Sequence, residues 1–178
     1  MRARTMIGLA ALAVAVVSGT WGSVSASAAR APNVFEGTCT LSGQLVFDQP
    51  LGNDLRTTTF TDTASGTCNG TLNGVYGDNI PVVNTVSGSG TLSCVAGTTT
   101  TDDTLTFARH YPLRIFTHAV GGLTQFVARS TGAVSGEAVV EVDFLPYFDQ
   151  ATMAACQAGT LGSARYDLIA HTISPLVG

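Results

Sequence analysis

The sequence predicts an all-β protein: a closed antiparallel barrel, or failing that a two-sheet sandwich, of about eight or nine strands with one short C-terminal helix. Three observations predict it. Segments that alternate apolar and polar residues recur at hairpin spacing, separated by Gly, Asn, Asp and Pro. The chain is rich in Thr, Ser and Gly and poor in charge, a composition that suits strands and turns. Two Gly-Thr-Cys triplets, 37–39 and 66–68, flank a turn-forming stretch, Leu51-Gly52-Asn53-Asp54-Leu55. Folding at Asn53-Asp54 sets Cys39 opposite Cys68, Leu41 opposite Gly66 and Phe47 opposite Phe60.

The N-terminus reads as an export signal. Arg2 and Arg4 precede an apolar run, Met6 to Val17, and Ala26-Ser27-Ala28 fits the small-x-small rule for cleavage after Ala28. The run is short for a membrane span, and no second long apolar run follows, so the expectation is an exported domain without a span. The expected organisation is a signal over 1–28, a flexible leader over 29–36 and one disulfide-stapled β domain over 37–178. All eight basic residues are arginines, and two leave with the signal. Six arginines then stand against twelve acidic residues, a net charge of −6. That balance argues against nucleic acid or an anionic membrane as partner.

Four cysteines in an exported chain read as two disulfides. Of the three pairings, the hairpin register selects Cys39–Cys68, which leaves Cys94–Cys156. A chain-entropy argument gives about 3.6 and about 4.3 kcal/mol for the two loops.

The strands follow in order. The first spans about 37–47 and places Cys39, Leu41, Leu45 and Phe47 on one face. The second spans about 55–68, with β-branched Thr57, Thr58 and Thr59. Its register turns Asp62 inward, and the cost of a buried carboxylate argues for a bulge that turns it out again. A third strand, about 70–76, is expected before a turn at Gly77-Asp78-Asn79, and a fourth over about 82–94. Gly88 and Gly90 within the fourth mark a bend or close approach. Residues 97–103 read as a turn, with strands at about 104–110, 113–119, 123–130 and 137–144. Pro146 and Gly159 bracket a helix over 147–158, whose Cys156 would staple it to the fourth strand. A last strand, about 163–173, ends at Pro175.

The segments 37–43 (Gly-Thr-Cys-Thr-Leu-Ser-Gly), 66–70 (Gly-Thr-Cys-Asn-Gly) and 88–94 (Gly-Ser-Gly-Thr-Leu-Ser-Cys), with the late Cys156, resemble a pattern found in small uncharacterised secreted proteins of high-GC Gram-positive bacteria. The resemblance covers most of the chain after the signal. It implies a β-rich, two-disulfide exported domain and carries over no catalytic residue.

Chemistry-bearing motifs are sparse. No Gly-x-Ser-x-Gly elbow occurs, and spacing singles out no triad from His110, His118 and His171. Glu137 and Glu141 share a polar strand face, where they read as solvated charges rather than an acid–base pair. Arg109, His110, Tyr111 and Arg114 surround Pro112 and form the one candidate ligand-binding cluster, at a barrel mouth. The expected function is a non-enzymatic exported barrel that binds a small apolar ligand or a surface partner. The alternatives are a secreted hydrolase with a non-standard site, which requires a histidine and a carboxylate meeting in a pocket, and a structural or adhesive envelope protein.

Overall fold

A computed structural model describes residues 31–108, 110–122 and 125–178. The expected signal segment lies outside the described residues. The chain forms one closed eight-stranded barrel in which each strand pairs antiparallel with the next and the last closes on the first. The strands are β1 (Val34–Leu51), β2 (Arg56–Leu72), β3 (Val75–Leu92), β4 (Gly97–Phe107), β5 (Tyr111–Gly122), β6 (Gln125–Gly132), β7 (Ser135–Asp143) and β8 (Leu161–Val177). A 3₁₀ turn (Leu145–Tyr147) and a helix, α1 (Gln150–Ala158), separate β7 from β8. No helix among the described residues is long and apolar enough to cross a membrane.

The first hairpin has the register the sequence predicts. Phe35↔Leu72, Cys39↔Cys68 and Phe47↔Phe60 all pair across it. Both disulfides are formed, Cys39–Cys68 and Cys94–Cys156, consistent with an oxidising compartment. α1 is capped at both ends. Asp149 Oδ1 accepts the Thr152 N–H at 2.8 Å, and Gly159 takes the left-handed conformation (φ 70°) after the last turn.

Several expected boundaries move. Turn residues at 77–79 do not reverse the chain. The reversal is Asn73-Gly74, both at positive φ (51° and 81°), the backbone that a two-residue hairpin loop requires. The separate third strand therefore dissolves into the end of β2 and the start of β3. Asp78-Asn79 instead makes a bulge: two residues of β3 face one of β2 between Cys68↔Ile80 and Gly70↔Gly77. The Asn79 N–H donates to Asn69 Oδ1 at 2.7 Å there.

Residues 97–103 are the first half of β4 rather than a turn, since four consecutive threonines, Thr98–Thr101, suit a pleated ladder. Gly121 and Gly122 belong to β5 and pair with Phe126 and Gln125. Pro175 lies inside β8, where register shifts opposite Ser135–Ala138 accommodate a residue that cannot donate to a ladder. The expected leader is already strand from Val34. Asn33 and Gly178 exchange two backbone hydrogen bonds, and Phe35 is fully buried.

The core is the barrel interior, and each end is closed differently. At the end holding the β2–β3 and β4–β5 turns, Phe35 stacks on Phe107 with ring centroids 4.7 Å apart. At the other, Phe144 leaves β7 and packs against Phe126 and Tyr166. The β3–β4 turn, which carries Cys94, sits diametrically opposite the β7–β8 connection in an eight-strand ring. The Cys94–Cys156 disulfide joins the two, so α1 and that turn together strap the mouth. The strap is bedded on the β1–β2 turn, where the Cys94 N–H donates to the Gly52 carbonyl at 2.8 Å.

Candidate functional site

Alternation along the strands sorts the lumen into two walls. On β1, β7 and β8 the inward residues are mainly apolar, among them Leu41, Val140 and Leu168. On β2 to β6 the inward positions include Asp62, Asn84, Thr101, Asp103, Thr117 and Ser130. The ladders place Asp62, Val86, Asp103 and Ile115 in one transverse row. The row above it is Phe60, Gly88, Thr101, Thr117 and Ser130. Asp62 and Asp103 lie two strands apart, so their Cα atoms are roughly 10 Å apart with both side chains pointing inward.

Asp62 is the first correction that bears on function. The bulge expected to turn it outward does not form, since the register is unchanged on either side, at Ser42↔Ser65 and Val46↔Thr61. The carboxylate is buried because its partners are supplied. The Tyr166 hydroxyl donates to Oδ2, and the Gln44 N–H donates to Oδ1 at 2.9 Å. Gly43 makes room for this pair. A Cβ at residue 43 would stand 2.7 Å from the Tyr166 hydroxyl oxygen and 2.8 Å from Ala64 Cβ. Gly88 serves the Phe60 ring in the same way, since a Cβ there would overlap it.

Asp103 is only half satisfied. It is 5% exposed. Thr117 Oγ1 donates to Oδ2 at 2.7 Å and lies 2.8 Å from Ser130 Oγ. A hydroxyl has one proton, so with Asp103 ionised Ser130 donates to Thr117. Asp103 Oδ1, Asn84 Oδ1 and Thr101 Oγ1 are buried with no hydrogen-bond partner among the described residues. Unpaired buried polar atoms are uncommon and costly, and they ask for an explanation.

Burial sets the electrostatics. It pushes the Asp103 carboxyl up to about 6, against the pull of the Thr117 hydrogen bond and of the nearby Thr101 hydroxyl, and the negative charges of Asp102 and Asp62 add to the push. Burial also raises the Asp62 carboxyl, partly offset by the bonds from Tyr166 and Gln44. Burial, reinforced by the Asp62 charge, drives the Tyr166 phenol far above its usual range, so it stays protonated and donating.

The lumen holds a cavity of about 140 Å³. No arginine, lysine or histidine is among its lining residues. The cluster singled out in the sequence lies elsewhere. Arg109 lies outside the described residues. His110 is exposed in the β4–β5 turn and donates its N–H to the Phe107 carbonyl at 3.0 Å. Tyr111 opens β5 at the rim. Arg114 points to the outer wall, because Leu113 and Ile115 take the inward positions. There its Nε donates to Asp102 Oδ1 at 2.8 Å, and its guanidinium lies over Phe116. None of the described three lines the cavity, so they do not form a common site with it.

The histidines do not converge either. His118 is exposed on β5 between Thr100 and Arg129. His171 is exposed on β8, with Nδ1 2.9 Å from Thr38 Oγ1. Glu137 pairs with Arg129 at 2.8 Å, and Glu141 faces solvent, as expected of solvated charges. Sequence reasoning does not place Asp103 in the lumen, because it reads that stretch as a turn. The signal was present: Thr99, Thr101, Asp103, Leu105 and Phe107 share one strand face. No protein-family model matches the sequence, no curated protein matches it, and no solved structure matches the fold.

Proposed function

We propose that the chain is an exported, non-enzymatic binding barrel whose lumen takes up one small, largely apolar ligand. The observation that carries this reading is the cavity of about 140 Å³ at the centre of the barrel, together with three buried oxygens that have no partner among the described residues. Apolar cavities of about this size admit a benzene-sized molecule, and eight-stranded barrels are wide enough to hold one small ligand. Export agrees with two formed disulfides and with the apolar N-terminal segment. The hydrolase alternative is not favoured: the lumenal carboxylates have no histidine among the lining residues, and in the outer-wall hollow that His118 and Asp102 both line the Asp102 carboxylate is bonded to Arg114. The surface-partner alternative loses its anchor, since Arg114 is already committed to Asp102 and Phe116.

Toluene is the probe. Its addition raises the melting temperature of the wild-type protein in a concentration-dependent way, as any ligand of the folded state does, and shifts the methyl resonances of Leu41, Val140 and Leu168. Ala138 lines the cavity and is 2% exposed. Ala138→Val and Ala138→Leu, checked for retained strand signal by circular dichroism, progressively abolish the response. A wild-type protein that shows neither thermal nor methyl response at saturating toluene, and no response to polar analogues of the same size, overturns the reading.

A further inference from the structure

The lumenal-binding reading leaves open which polar group the ligand carries, and the inference here rests on that reading. Asp103 Oδ1, Asn84 Oδ1 and Thr101 Oγ1 lie along one inward face of β3 and β4. Asn84 on β3 and Asp103 on β4 are diagonal neighbours, since Asn84 pairs with Leu105 and Asp103 with Val86. Such diagonals lie about 7–8 Å apart, and Thr101 is two residues along the same face of β4. With Asp103 ionised, Asn84 Oδ1 and Asp103 Oδ1 can only accept, and Thr101 Oγ1 can accept as well. The donors this face offers are neutral, the Thr101 hydroxyl and the Asn84 amide. It lacks a counter-charge. Two buried carboxylates face the lumen, and the groups around Asp103 are Asp62 on β2, Asn84 on β3, Thr117 on β5 and Tyr166 on β8, with Asp102 behind it on the outer face of β4. None of these is a cation, and the Tyr166 proton is already given to Asp62.

We propose that the lumen selects a small apolar amine, seating its ammonium group on Asp103 beside Asn84 and its hydrocarbon body against the apolar wall of β7, β8 and β1. An ammonium donates to the open Oδ1 of Asp103. Its charge supplies what a buried carboxylate requires, a paired and hydrogen-bonded partner. A carboxylate ligand of the same size meets two like charges and only neutral donors to offset its desolvation. A plain hydrocarbon fills the volume and leaves Asp103 Oδ1 unpaired. The Asp103 carboxyl is neutral in acid and ionised above about 6, so amine affinity rises with pH across that range while hydrocarbon affinity stays level.

Four benzyl compounds of matched size separate these cases: toluene, benzyl alcohol, benzylamine and benzoate, titrated calorimetrically into the intact protein at acid and mildly alkaline pH. The expected order in alkali is benzylamine, then benzyl alcohol, then toluene, with benzoate not binding. Benzylamine binds about tenfold or more tighter than toluene, the gain of a charge-assisted hydrogen bond. Asp103→Asn removes most of that gain, about tenfold, and changes toluene affinity less than about twofold. Benzoate binding as well as benzylamine, or benzylamine affinity unchanged in Asp103→Asn or level with pH, overturns the amine assignment while lumenal binding stands. Failure of all four compounds to bind overturns lumenal binding itself, and the amine assignment with it.

Discussion

Replacing Asp103 by asparagine exchanges a buried, half-satisfied carboxylate for a neutral side chain of the same shape. The carboxyl moves from an ordinary 3.8 to about 6 on folding. A shift of that size corresponds to about 3 kcal/mol between the two protonation states. Between those two values the folded protein holds a proton that the unfolded chain has released. The contribution of Asp103 to stability is therefore fully present below about pH 4, falls as pH rises and levels off above about pH 6. Asparagine never ionises and escapes this loss. Urea unfolding of both proteins across pH 4 to 8 reads the effect as a difference, in which the other titrating groups, Asp62 included, cancel to first order. The variant and the wild type should be close in stability near pH 4. By pH 8 the variant should be more stable by up to about 3 kcal/mol, or roughly 6–12 °C in melting temperature for a domain of this size. A stability difference that stays constant across the range, or a variant less stable at pH 8 than at pH 4 relative to wild type, refutes the reasoning.

Two further outcomes follow from other contacts. Tyr166→Phe removes the hydroxyl that donates to Asp62 and should cost about 1–3 kcal/mol in urea melts at neutral pH. The loss should shrink in acid, where Asp62 is protonated. The double variant Cys94→Ser/Cys156→Ser releases the strap across the mouth. It should lose up to about 4 kcal/mol, as expected for the loop that disulfide closes, and should exchange lumenal toluene faster by NMR line shape.

The parts of this fold legible in the sequence are those fixed by short range or by symmetry. The β1–β2 register followed from two cysteines set symmetrically about a turn, and one pairing then left the other. The helix followed from Pro146 and Gly159. Composition was a poor guide to where the chain turns. Gly77-Asp78-Asn79 looks like a turn but makes a bulge, while the chain reverses at Asn73-Gly74, the stronger hairpin pair. The candidate site was obscured by a sound rule applied without its exception. Burying a carboxylate is costly when nothing pairs with it, yet Asp62 is paired by Tyr166, 104 residues away in sequence. Only the closure of β8 onto β1 brings that phenol across Gly43, and no local pattern announces it.

That closure also governs when the molecule can exist as a folded object. The eighteen residues of β1 share one border with β2 and the other with β8, more than a hundred positions downstream. During synthesis the nascent hairpins can zip in sequence, but the seam stays open until the final strand has been delivered. Contacts so remote in sequence form late and slowly. Through that whole interval Asp62 lacks the Tyr166 hydroxyl that pairs with it in the finished cylinder.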